Sequence, residues 1–418
     1  MDKEYGQSRK NGIQLNLSFP WVVVLLGALL LMVGNINPNV FGVFFKPVAE
    51  EFGWSRAEVS GAYAIRSLVM AVMSIPMGYW SDRYGPRKVI LPCFVLLGIG
   101  FLLNAMVGSL WQFYLVQGLL IGVASSGPFV SIISAVAKWH DKRRGLALGV
   151  ASTGIGLSGV IFPPLAANLI LAVGWRGAMA LLGIAVFVVA LPSSLFMKDP
   201  PSKSNGSASQ RGGPLEVWRM LPRFLANRTF VAIVLMFLFF YIACNVIISH
   251  LVNYVTDAGV STIIAATMMS VMGIAGTMGR LIMGTFSDKI GTRNDALICY
   301  VLLAVSLVLL NLGIPALIWV SVVLFGVAFG GASPLMPAIM GEHFGTEHLA
   351  TLTGATVVGA CLGATIGPML GGFIFDEMHS YRLALAIAAA LAIVPICIAL
   401  RLSPPAKANR DNEKVLFE

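Results

Sequence analysis

Arg280 interrupts an apolar stretch, residues 262–286, that carries no other charge. A guanidinium at the centre of a bilayer costs about 3 kcal/mol on translocon scales, so it needs a partner or an aqueous cavity. No Asp or Glu lies in the middle of any long apolar stretch of this chain. The planar fork of arginine captures a carboxylate with two parallel hydrogen bonds, which makes a small organic anion the natural partner. The alternative is an arginine that reaches out to the membrane surface. Arg66, the other arginine inside an apolar stretch, either lines an outer vestibule or snorkels. His250 is the titratable candidate for carrying a proton, against the plainer reading of a hydrogen-bonded interfacial histidine.

The elements that hold these residues follow from composition. Of 418 residues 57% are hydrophobic and 11% charged, and mean hydropathy is +0.84. Too few charges exist to cover a water-soluble surface, so the chain reads as an all-α polytopic membrane protein. Twelve crossings are expected, near 20–45, 56–80, 88–107, 111–137, 146–172 and 177–197, then 229–255, 262–286, 295–313, 316–340, 349–375 and 382–402. Ser55 and Glu58 form a capping box that opens the second. Of the 28 Lys and Arg, 22 fall in the N-tail, the even-numbered loops and the C-tail and 4 in the odd-numbered loops, which puts both termini in the cytoplasm. In this setting the net charge of +9 describes loops facing anionic lipid and not a nucleic-acid surface. The expected organisation is a cytoplasmic N-tail, 1–19; a six-helix half, 20–197; a Ser-, Gly- and Pro-rich cytoplasmic linker, 198–228; a second six-helix half, 229–402; and a cytoplasmic C-tail, 403–418. The halves repeat: Gly78-Tyr-Trp-Ser-Asp82-Arg-Tyr-Gly85-Pro-Arg87 returns 206 positions later as Gly284-Thr-Phe-Ser-Asp288-Lys-Ile-Gly291-Thr-Arg293. A duplicated 6+6 bundle with its site near the midplane follows.

This duplicated motif resembles the signature of the major facilitator superfamily, and the chain is similar more closely to its monocarboxylate transporter family. The similar stretches are Val43-Phe-Phe-Lys46, Lys142-Arg-Arg-Gly-Leu-Ala-Leu-Gly149, Gly174-Trp-Arg-Gly177, Phe325-Gly-Val-Ala-Phe329-Gly330 and Gly367-Pro-Met-Leu-Gly371. The resemblance implies that Arg280 binds the substrate carboxylate and that Phe329 limits substrate size; ordinary packing is the other reading of Phe329. Two positions depart from that family: its aspartate four residues before the arginine is Gly276, and its proton-linked lysine is Asn39.

Asn35, Asn37, Asn39, Gln117, Tyr241 and Asn245 are further cavity candidates, with helix-to-helix hydrogen bonding as the alternative. Asp82 with Arg83 and Arg87, and Asp288 with Arg293, are expected to form ion pairs that latch the halves on the cytoplasmic side. Gly154-Ile-Gly156-Leu-Ser-Gly159 spells a dinucleotide fingerprint, but no strand precedes it and it lies inside a crossing. No motif points to a cofactor, a metal, ATP-driven transport or catalysis. The expected function is secondary transport of a small monocarboxylate, L-lactate or pyruvate, together with a proton, across the cell membrane, by a functional monomer. One intramembrane cation on the eighth crossing suits one carboxylate; a dicarboxylate would recruit a second. The alternative is an organic-anion antiporter resembling the oxalate:formate exchangers, whose lysine on the eleventh crossing is absent from 349–375. A sensor without flux and a channel are the readings from other classes, and neither has a sequence feature in its favour.

Overall fold

A computed structural model describes residues 19–140, 143–198, 222–257 and 259–402. The described residues are helical throughout, with turns and no strand. Ten helices are long and apolar enough to cross a membrane; one of them, Arg144–Leu195, is 52 residues long and is two crossings joined at Gly174. With the 29-residue helix Thr262–Ile290 they make twelve. In chain order these are α1 (Phe19–Phe52), α2 (Arg56–Tyr84), α3 (Arg87–Asn104), α4 (Leu110–Trp139), α5 (144–173), α6 (175–195), α7 (Arg228–Asp257), α8 (Thr262–Ile290), α9 (Thr292–Asn311), α10 (Pro315–Phe344), α11 (Leu349–Met378) and α12 (Arg382–Arg401). The tails and most of the linker expected at 198–228 lie outside the described residues. Large apolar side chains such as Leu171, Met106, Val188 and Phe373 face outwards, where lipid replaces water as their solvent.

Local chemistry sets the helix ends and breaks. Ser55 and Glu58 make the expected capping box, with Glu58 N–H donating to Ser55 Oγ and Ser55 N–H to the Glu58 carboxylate. Gly174 adopts φ 73°, a conformation glycine takes without strain, and so turns α5 into α6. Beside that turn Trp175 Nε1 donates to Glu51, and Arg176 donates to Glu51 at 2.8 Å and to the Ala105 carbonyl at 2.7 Å. The Gly-Trp-Arg-Gly stretch thereby fastens the α5–α6 turn to the ends of α1 and α3. Within α1 the backbone leaves helical geometry at Asn35, three residues before Pro38, whose ring lacks the N–H that would continue the ladder.

The halves meet closely at the end of the bundle that carries Asp82 and Asp288. A Cβ on Gly145 would strike the backbone of Gly284, and one on Gly284 the backbone of Gly145; Gly78 and Gly354 pack in the same way on Ala350 and Ser74. Here Asp288 accepts the backbone N–H of Gly145 at 2.7 Å and of Leu146 at 2.9 Å, the first turn of α5. Asp82 accepts Thr351 N–H at 2.8 Å, Thr351 Oγ1–H at 2.9 Å and Ala350 N–H at 3.2 Å, the first turn of α11. The expected arginine pairs are not what these carboxylates make across the halves. Arg83 donates to Tyr79, Arg87 is exposed, and Arg293 donates to the carbonyls of Ala399 and Leu400 within its own half. Helix N-termini win because they offer free N–H groups and a positive dipole end at fixed positions, without ordering a long side chain. The ion pair on Asp82 is with Lys138, at 3.2 Å in the same half.

Candidate functional site

A cavity of about 290 Å3 lies between the halves. Each wall is a helical stripe. Helix α2 presents Tyr63, Arg66, Ser67 and Met70, α11 presents Val357, Ala360, Cys361 and Ala364, and α10 presents Phe329, Ser333 and Met336. These three- and four-residue steps put each set on one helix face. The break in α1 places Asn35 in the wall, α4 gives Ser125, Pro128 and Phe129, α5 gives Ile155, α7 gives Tyr241 and Asn245, and α8 gives Arg280.

Of the residues expected at the site, Arg280, Phe329, Asn35, Tyr241 and Asn245 are brought together. Gln117 is not. It lies on a π-helical turn of α4, Tyr114–Leu120, and exchanges hydrogen bonds of 3.1 and 3.2 Å with Asn37 while accepting from Asn104 at 2.9 Å. The three amides bond to one another across α1, α3 and α4, with Asn104 Oδ1 left unpartnered, which is the helix-to-helix alternative. Asn39 donates to the Asn35 carbonyl at 2.8 Å and is also outside the lining. His250 stands at the α7–α11 contact, its Nε2 3.0 Å from the Pro368 carbonyl and its ring 5.2 Å from that of Tyr381. The structure does not bring it into the cavity wall.

Arg280 is 5% exposed, and its Nε is buried with no hydrogen-bond partner. No described side chain forms an ion pair with it. Its Nη1 sits beside two glycines: a Cβ on Gly156 of α5 would approach it to 3.1 Å and one on Gly276 to 3.5 Å. At Gly276 the resembling family has an aspartate, so the glycine both opens the space and removes the protein's own counter-ion. Leaving such a guanidinium buried and unpaired costs several kcal/mol, which an anionic ligand would offset.

Arg66 is the residue that the sequence left undecided. It too is 5% exposed with Nε unpartnered, it forms no ion pair with any described residue, and its guanidinium lies 5.3 Å from the ring of Tyr63 on its own helix. It lines the same cavity as Arg280 and does not snorkel. A signal was present: Tyr63, Arg66, Ser67 and Met70 are helically spaced on the crossing that the 206-residue repeat pairs with α8.

The remaining wall is part apolar and part hydroxyl. Phe329 stacks on buried Phe325 with centroids 5.8 Å apart and meets Tyr241 edge-on at 5.9 Å, so the ring is held from two sides. Ser125 Oγ is buried without a partner. Asn35 and Asn245 each donate at 2.8 Å to the carbonyl one turn earlier, Leu31 and Tyr241. Among the described residues no Asp, Glu, Lys or His lines the cavity. Cys361 lines it with a free thiol. The arrangement can therefore bind a small anion with an apolar body between two fixed cations, and offers it hydroxyl donors.

The sequence model of the Major Facilitator Superfamily matches residues 23–359 and again 281–417. "Monocarboxylate transporter 13" of Rattus norvegicus is 28% identical over 357 residues, covering 84% of this chain and 82% of that one. Among solved structures, the transporter FucP in the outward conformation superposes with TM-score 0.74 at 14% identity, over 91% of this chain and 99% of that one. The human organic anion transporter MFSD10 does so with TM-score 0.70 at 17% identity, over 91% and 99%.

Proposed function

Because the chain belongs to the Major Facilitator Superfamily, we propose that it is a secondary transporter of small organic carboxylates, which it moves by alternating access around Arg280. One observation carries this reading: a buried arginine in the wall of the central cavity, with no acidic side chain among the described residues to neutralise it. The likeness to a protein named for monocarboxylates supports the substrate class. The narrower reading, L-lactate or pyruvate taken up with a proton at the cell membrane, needs only Arg280 and an apolar wall. In it the substrate carboxylate brings the proton, since no Asp, Glu or His is among the described residues that line the cavity.

Exchange is the second reading, and the same absence favours it. An unloaded carrier would have to close over uncompensated guanidiniums, which slows its return and couples efflux of one anion to uptake of another. Uptake of labelled L-lactate into proteoliposomes with an inward proton gradient tests both readings. Accumulation abolished by uncoupler and by Arg280→Ala establishes proton-linked symport. Uptake only when a second carboxylate is preloaded establishes exchange, and no uptake of any carboxylate under either condition removes the proposal.

Phe329 sets the upper size limit in this reading. Phe329→Ala removes a ring held by Phe325 and Tyr241, and the enlarged cavity is expected to transport carboxylates two to three carbons longer than wild type admits, read as competition by octanoate against the wild-type substrate. An unchanged substrate range would place the ring outside the binding volume.

A further inference from the structure

Resting on the reading of Arg280 as a carboxylate site, we infer that the substrate is a dicarboxylate held at both ends, one carboxylate on Arg280 of the second half and the other on Arg66 of the first. Both side chains line one cavity, both are nineteen-twentieths buried, and neither has a hydrogen bond or ion pair with a described residue. The Arg66 guanidinium lies 5.3 Å from the ring of Tyr63 on its own helix, which does not neutralise it. Two like charges facing one cavity repel unless a ligand carries two negative charges; a monoanion would leave a net positive charge buried.

The spacing gives the length. Arg66 precedes Asp82 by 16 residues and Arg280 precedes Asp288 by 8, and these two aspartates mark the same end of the bundle. At 1.5 Å rise per residue the Cα atoms of the two arginines stand at levels roughly 12 Å apart. Subtracting a contact of about 3 Å between heavy atoms at each end leaves room for a chain of about four to six carbons. These levels favour two separated carboxylates over one compact dianion. The wall between, with Phe329 and Met336, suits an apolar linker. Because each half supplies one cation, a bound dicarboxylate ties the halves together, and both must be engaged for the cavity to be neutral when it closes.

The test compares succinate and adipate with butyrate and hexanoate, the same carbon counts with one carboxylate fewer, as binding to the purified full-length protein by calorimetry and as counterflow in proteoliposomes. Wild type is expected to bind a dicarboxylate at least tenfold more tightly than its partner of equal length. Arg66→Gln is expected to remove that advantage and Arg66→Lys to restore part of it; Arg280→Gln weakens both classes. Equal binding of the two classes by wild type overturns the inference and leaves the carboxylate reading standing. Binding of neither class overturns the carboxylate reading itself. Sulfate competing as well as succinate would mean a single compact anion and would also overturn the two-ended grip. The wild-type comparison decides without any variant, so a misfolded Arg66→Gln does not block the result.

Discussion

Replacing Arg280 by lysine is expected to lower carboxylate uptake at least tenfold although the charge is kept. The guanidinium presents a planar fork fixed beside Gly156 and Gly276, with its Nε already buried and unpartnered. An ammonium on a flexible stem is a point charge and forms one directed bond where the fork forms two. A hydrogen bond to a charged group contributes about 1.5–3 kcal/mol, and loss of one corresponds to about ten- to hundredfold in affinity. The loss should therefore appear mainly as a raised KM. Arg280→Ala removes both bonds and the charge and is expected to abolish uptake. Initial rates in proteoliposomes, normalised to protein reconstituted, check both; wild-type kinetics in the lysine variant would sink the assigned role.

The sequence disclosed the crossings and their duplication because a lipid solvent imposes an unmistakable pattern of length and hydropathy, and because Gly78 to Arg87 recurs at Gly284 to Arg293. It disclosed Arg280 because a lone charge in an apolar run has few explanations. Other residues depended on which way a helix face looks. Tyr241 and Asn245 share the cavity face of α7, whereas His250, five residues on, stands about 140° round the helix at 100° per residue and meets α11 instead. Gln117 could not be placed without knowing that Asn37 and Asn104 meet it, a contact that spans 80 residues of chain in one case. The charge count that favoured a single carboxylate rested on the eighth and eleventh crossings. It missed the second cation because Arg66 enters the same cavity from α2.

The second large effect concerns the closed end of the bundle. Asp82 and Asp288 are related by the repeat, and each reaches across to the first turn of a helix in the opposite half. A carboxylate on a helix N-terminus contributes about 1 kcal/mol through hydrogen bonds and the helix dipole. Two such contacts, broken together when this end opens, favour closure by about 2 kcal/mol, a factor of roughly thirty. Alanine at both positions is expected to populate the state open at this end about thirtyfold more. Native Cys361 reports it, since its thiol is free and faces the cavity. In a Cys397→Ser background, which removes the exposed cysteine, a membrane-impermeant maleimide added from the Asp82 side should label Cys361 about thirty times faster in Asp82→Ala/Asp288→Ala than in the parent. Saturating carboxylate should slow the labelling by occupying the cavity. An unchanged rate in the double variant would mean that the glycine contacts of Gly145 with Gly284 and of Gly78 with Ala350, and not the carboxylates, hold this end shut. Leucine at Gly145, which cannot be accommodated against the Gly284 backbone, would then open it where the aspartate changes did not.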